Sequence, residues 1–112
     1  MVGHTGKMDA AVSAVEAVDK ALKETIDVGL EKSYDFLVFA DHGNCEEMAG
    51  DHQTSHTLND VYFILGSNKE EYQKDKVNLK YGGLKDVAST ALDILGVGKP
   101  KEINEESLIE KK

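Results

Sequence analysis

Three short polar stretches of this chain place an imidazole beside residues that help to hold a metal ion. The clearest is Phe36-Leu-Val-Phe-Ala-Asp-His-Gly-Asn44, an apolar, strand-like run that ends on Asp41 and His42. A carboxylate oxygen next to an imidazole nitrogen is a mixed donor set suited to Zn²⁺ or Mn²⁺, and Gly43 lets the backbone turn away sharply. In open parallel sheets ligands sit beyond the carboxyl ends of the strands, which is where this pair falls. The same two residues also suit an aspartate capping the next turn and a histidine hydrogen-bonded at the surface. His56 stands between Ser55 and Thr57, whose hydroxyls suit orientation of the ring, and His4 stands between Gly3 and Thr5 just ahead of a helix. Taken singly, His56 also reads as an exposed loop residue and His4 as a first-turn residue of no consequence, while His52 has no framing beyond solvent.

Other polar groups offer less. Cys45 adds a soft donor three residues after His42 or is simply a small thiol, and Glu46 is either a base beside the site or part of a solvated acidic surface with Glu47. Thr5, Ser55 and Thr57 lie near the candidate ligands, but none has an identifiable adjacent base, so no hydroxyl nucleophile can be assigned. Neither a P-loop nor a dinucleotide glycine pattern is present.

The elements that must position these residues follow from periodicity. Val12, Val15, Val18, Leu22, Ile26 and Leu30 recur every three or four positions and predict one long amphipathic helix over residues 8 to 32. Asp35 to Ala40 reads as a buried strand, residues 41 to 59 as a loop, Val61 to Leu65 as a second strand, and Val77 to Tyr81 as a short edge strand. Residues 66 to 73 read as a polar connection. Leu84, Val87, Ala88, Ala91, Leu92 and Leu95 trace a second helix, entered from Gly82-Gly83 and stopped at Gly96 with Pro100 beyond. The tail, residues 99 to 112, is mostly charged, with Leu108 and Ile109 expected to dock. The expectation is an α/β fold with two or three strands and two main helices, a thin sheet whose exposed edge marks part of something larger and invites pairing with another chain.

Composition narrows the function. The 112 residues, 40% apolar and 30% charged, suit one small globular unit. A formal charge of −8 argues against nucleic acid and against an anionic membrane surface as partners, and handling of a small anion would call for a cation in the site. No apolar run reaches the length of a membrane span, and the lone Cys45 allows no intrachain disulfide, so a cytoplasmic location is expected.

Met1-Val-Gly-His-Thr-Gly6, Ala40-Asp-His-Gly-Asn44 with Met48, and Ser55-His-Thr57 with Asn59 together resemble the C-terminal third of the cofactor-independent phosphoglycerate mutases, within the alkaline phosphatase superfamily. Glu16-Ala-Val-Asp19, Leu84-Lys-Asp-Val-Ala88, Leu95-Gly96, Pro100 and Ser107-Leu-Ile109 follow that family in order and spacing, so the resemblance covers nearly the whole chain. It implies a partial alkaline-phosphatase-like sheet lacking the N-terminal part of the domain, with residues 1 to 112 as the C-terminal segment. It also implies interconversion of 3-phosphoglycerate and 2-phosphoglycerate through a phosphoserine and two divalent ions, usually Mn²⁺, with Zn²⁺, Co²⁺ or Mg²⁺ as other fits.

By the same resemblance His4 and His56 bind one ion, and Asp41 and His42 the other. The serine nucleophile, an aspartate that precedes the match to Met1, and the remaining carboxylate ligand lie outside this sequence. The chain alone is therefore expected to be inactive and to need the missing upstream part of the same enzyme. Departures from the family are Ser89 for a proline, Gln53 where many members have histidine, and Glu105 for a glycine. Two other readings compete: a different metal-dependent phosphoryl-transfer enzyme of that superfamily, and a non-catalytic α/β association module.

Overall fold

A computed structural model describes residues 8–43 and 58–112. Helix α1 spans Met8–Glu31, strand β1 Phe36–Phe39, β2 Phe63–Gly66, β3 Val77–Leu79, helix α2 Val87–Leu95 and β4 Ile109–Lys111. Single 3₁₀ turns precede β3 at Glu70–Tyr72 and α2 at Leu84–Asp86. The four strands form two separate antiparallel ladders, β1 with β2 and β3 with β4, in place of a single thin sheet. The strand that sequence periodicity did not reveal is β4, which lies inside the charged tail.

Helix α1 is rich in alanine, the best helix former, and ends where its carbonyls find new donors. Ser33 adopts φ 65°, and the Tyr34 and Ser33 amides donate to the carbonyls of Gly29 and Leu30 at 2.9 and 3.1 Å. That is a Schellman closure with serine at the left-handed position. The end of α2 is built the same way, with Gly96 at φ 68° and the Val97 and Gly96 amides donating to Leu92 and Asp93. Gly29 lets the aromatic ring of Phe36 approach α1 closely, since a Cβ there would lie 2.1 Å from Phe36 Cζ.

The expected apolar stripe of α1 is not buried within this chain. Val12, Val15 and Val18 remain 49%, 55% and 65% exposed, and only Ala11 and Gly29 are buried along the helix. Strand β1, read as fully buried, is half-buried, with Phe39 exposed. On α2 the most buried side chains are Ser89 and Thr90, while Leu84 and Leu95 of the apolar set stay open to solvent.

The β1–β2 ladder pairs Phe36 with Gly66, Leu37 with Leu65, Val38 with Ile64 and Phe39 with Phe63. The rings of Phe39 and Phe63 lie 5.9 Å apart at its far end. Beyond the ladder the polar connection is stitched to the end of α1. Asp35 accepts from Ser67 Oγ at 2.6 Å and from Lys69 Nζ at 2.7 Å, and Asn68 donates to the Leu30 carbonyl. Burial alone would raise the Asp35 carboxyl, but the hydrogen bonds from Lys69 and Ser67 and the lysine charge outweigh it and hold the group below the usual carboxylate range.

Candidate metal half-site

Strand β1 ends at Phe39 and delivers Asp41 and His42 one residue further on, after Ala40, so the ladder fixes where their backbone begins. The location at the carboxyl end of β1 agrees with the sequence reading, although the ladder that holds it is antiparallel rather than parallel. His42 Nδ1 lies 2.8 Å from the carbonyl of Gly43, which can only accept from it, and Asp41 Oδ1 lies 3.5 Å from the other ring nitrogen, Nε2.

Two donors bound at ordinary metal–ligand distances in tetrahedral or octahedral geometry stand about 3.0–3.5 Å apart. The observed separation falls at the upper end of that interval. The aspartate is open to solvent and the imidazole is two-thirds covered. This combination leaves the carboxylate accessible while the surrounding chain holds the ring.

The pair borders a cleft of about 480 Å³. Its near side is the end of β1 and the start of β2, and its far side runs from Leu79 to Leu84 and includes Leu108. Asp60 and Lys80 also face the cleft, adding one charge of each sign. Sequence reading passed over this far wall. The signals for it were Gly82-Gly83 followed by Asp86 and Thr90, one helical turn apart.

Those residues form a buried polar knot. Asp86 Oδ2 accepts the Gly83 amide at 2.8 Å, and the Thr90 hydroxyl donates to the Asp86 carbonyl at 2.7 Å. Thr90, fully buried, also accepts the Leu108 amide at 2.9 Å. Ser89, which stands where the resembled family has proline, has its hydroxyl 2.9 Å from the carbonyls of both Asp86 and Glu106. A proline could bridge neither.

His4, His56, His52, Cys45 and Glu46, together with Thr5, Ser55 and Thr57, lie outside the described residues. Among the described residues Asp41 and His42 are thus brought together, and no cluster of three or more potential ligands is formed. Among the same residues no helix is long and apolar enough to cross a membrane.

Comparison with known proteins agrees with the motif reading. The sequence pattern of the metalloenzyme superfamily matches residues 1–99. A 2,3-bisphosphoglycerate-independent phosphoglycerate mutase of Symbiobacterium thermophilum is 43% identical over 97% of this chain. One from Listeria monocytogenes is 45% identical over 99%, and a second-type enzyme of Methanosarcina barkeri is 46% identical over 99%. The chain spans about a fifth of the length of these curated relatives, 21% in each case. Its fold superposes on a crystal structure of Leishmania mexicana phosphoglycerate mutase at low cobalt concentration with a TM-score of 0.79 and 30% identity, covering 99% of this chain and 23% of that one.

Proposed function

From a chain that belongs to the metalloenzyme superfamily, we infer a segment of a phosphoglycerate mutase that supplies part of a divalent-metal site and lacks the nucleophile. The observation that carries this reading is the Asp41–His42 pair, 3.5 Å apart across Oδ1 and Nε2 at the mouth of a cleft. Asp41 and His42 would hold one ion, and His4 and His56 are assigned to the other on motif grounds. Mn²⁺ is the proposed metal, the cytoplasm the proposed location, and phosphoglycerate the proposed substrate of the assembled enzyme.

The bound metal would supply positive charge to stabilise a transferring phosphoryl group. The chain's own residues do the positioning. The Gly43 carbonyl orients the His42 ring through Nδ1, and the β1–β2 ladder fixes the point from which Asp41 and His42 project. Exposed Val12, Val15 and Val18 of α1 favour association with the remaining four-fifths of such an enzyme over a self-sufficient module.

Calorimetric titration of the 112-residue chain with Mn²⁺ and Zn²⁺ tests the half-site. Weak binding is expected, with His42→Ala lowering affinity at least about tenfold. The chain alone is expected to show no turnover of 3-phosphoglycerate. Measurable metal-dependent turnover by the sequence-verified chain, or metal binding indifferent to substitution of Asp41 and His42, defeats the proposal.

A further inference from the structure

We infer that the C-terminal segment Glu106 to Lys111 is a strap whose docking sets the far wall of the cleft that Asp41 and His42 border. The inference rests on geometry within the chain and holds whatever ligand the cleft takes. Leu108 is its central residue. Its amide donates to Thr90 Oγ1 at 2.9 Å, and its carbonyl accepts the Lys80 amide at 2.8 Å. The main chain of Leu108 is therefore held on one side by α2 and on the other by the residue that follows β3.

Its side chain performs a different task. A Cβ on Gly82 would clash with both Leu108 Cδ2 and Asp86 Oδ2, so the leucine and the buried carboxylate both pack against the face of Gly82 where a side chain would stand. Asp86 grips the next amide, that of Gly83. Residues 80 to 83 are thus held by two partners, the strap at Lys80 and Gly82 and Asp86 at Gly82 and Gly83. Because Leu108 itself lines the cleft, the strap contributes surface to the wall as well as holding it.

The attachment is made of few parts. Beyond Leu108 it consists of the three-residue β3–β4 ladder with the buried Ile109 side chain, the Ser89 hydroxyl at the Glu106 carbonyl, and Lys99 Nζ at the Glu106 carboxylate. Short ladders open locally at lower free energy than a whole domain unfolds. Release of the strap would free Lys80 and Gly82 together and widen the cleft, while the β1–β2 ladder, which shares none of these bonds, stays closed. By linkage, a ligand that bridges the cleft from Asp41 to the wall would hold the strap down.

Amide exchange measured residue by residue on the full 112-residue chain tests this. Thr90→Val keeps the side-chain shape but removes the acceptor for Leu108 and the donor to Asp86. It is expected to accelerate exchange at Lys80 and Gly83 about tenfold or more, leaving amides of the β1–β2 ladder unchanged. Leu108→Ala keeps both main-chain bonds and removes the side chain from the face of Gly82. It is expected to accelerate Gly83 while the amide of residue 108 stays protected. Acceleration confined to residues 108 to 111, or acceleration of equal size in the β1–β2 ladder, overturns the inference, since the first uncouples strap from wall and the second reports only lost stability.

Discussion

Ser33 and Gly96 occupy the same position in two helix endings, yet only one of them is suited to it by covalent structure. Both sit at positive φ, 65° and 68°, with the same pair of amide bonds closing the helix behind them. A left-handed conformation costs a residue with a Cβ about 1–2 kcal/mol, and glycine escapes most of that. Ser33→Gly is therefore expected to stabilise the chain by about 0.5–1 kcal/mol, partly offset by the greater freedom of glycine in the unfolded chain. Gly96→Ala is expected to destabilise by about 1 kcal/mol. Urea titrations of the two variants should move in opposite directions, and movement in one direction would sink the argument. The glycine at residue 96 was legible from sequence as a helix stop because its chemistry advertises the conformation. Ser33 was legible only as a break, because nothing in serine announces a positive φ.

The elements that periodicity revealed were those whose pattern repeats: α1 was found to within a residue, and β1, β2 and α2 to within a few. What it missed was β4, since Ile109–Lys111 has three residues and one buried side chain, too few to show an alternation. The candidate site was legible as Asp41 and His42 because acid and imidazole follow an apolar run, whereas the far wall depends on long-range bonds from Thr90 and Asp86 that no local pattern encodes.

Between elements, the Asp35 link gives a signed prediction. Its carboxyl is held low in the fold, with burial opposing the shift and the Lys69 and Ser67 hydrogen bonds and lysine charge overcoming it. A group whose folded value is depressed stabilises the fold above its unfolded value and loses that contribution as pH falls through the folded one. Stability should hold steady above about pH 5 and decline below about pH 4. Asp35→Asn should cost about 1–2 kcal/mol at neutral pH and flatten that acid limb, as read by urea midpoints across the range. An unchanged acid limb would remove Asp35 as its source.

At the scale of the whole molecule, the apolar surface left open among the described residues is ordered along one element, since Val12, Val15 and Val18 recur on α1 at helical spacing and all remain about half exposed or more. Each such side chain gains about 1.5 kcal/mol or more when fully covered, so three together favour association by several kcal/mol before the entropy of binding is counted. Two occupants compete for that face. The remaining four-fifths of a phosphoglycerate mutase, supplied as a separate polypeptide, should bind and raise the thermal midpoint, whereas a second copy would make the midpoint rise with the chain's own concentration. Val15→Glu places a charge in the middle of the stripe, where the isolated chain already leaves the side chain 55% exposed, so its own stability should change by less than about 0.5 kcal/mol. Association should fall at least about tenfold, because an unpaired carboxylate would have to lose its water at the contact. Sedimentation of wild type and variant, alone and with the complementary polypeptide, separates these cases. Association unaffected by Val15→Glu would place the contact elsewhere, with the outer edges of the β1–β2 ladder, which pair with no further strand among the described residues, next in line because strand edges are the other surface that recruits a partner chain.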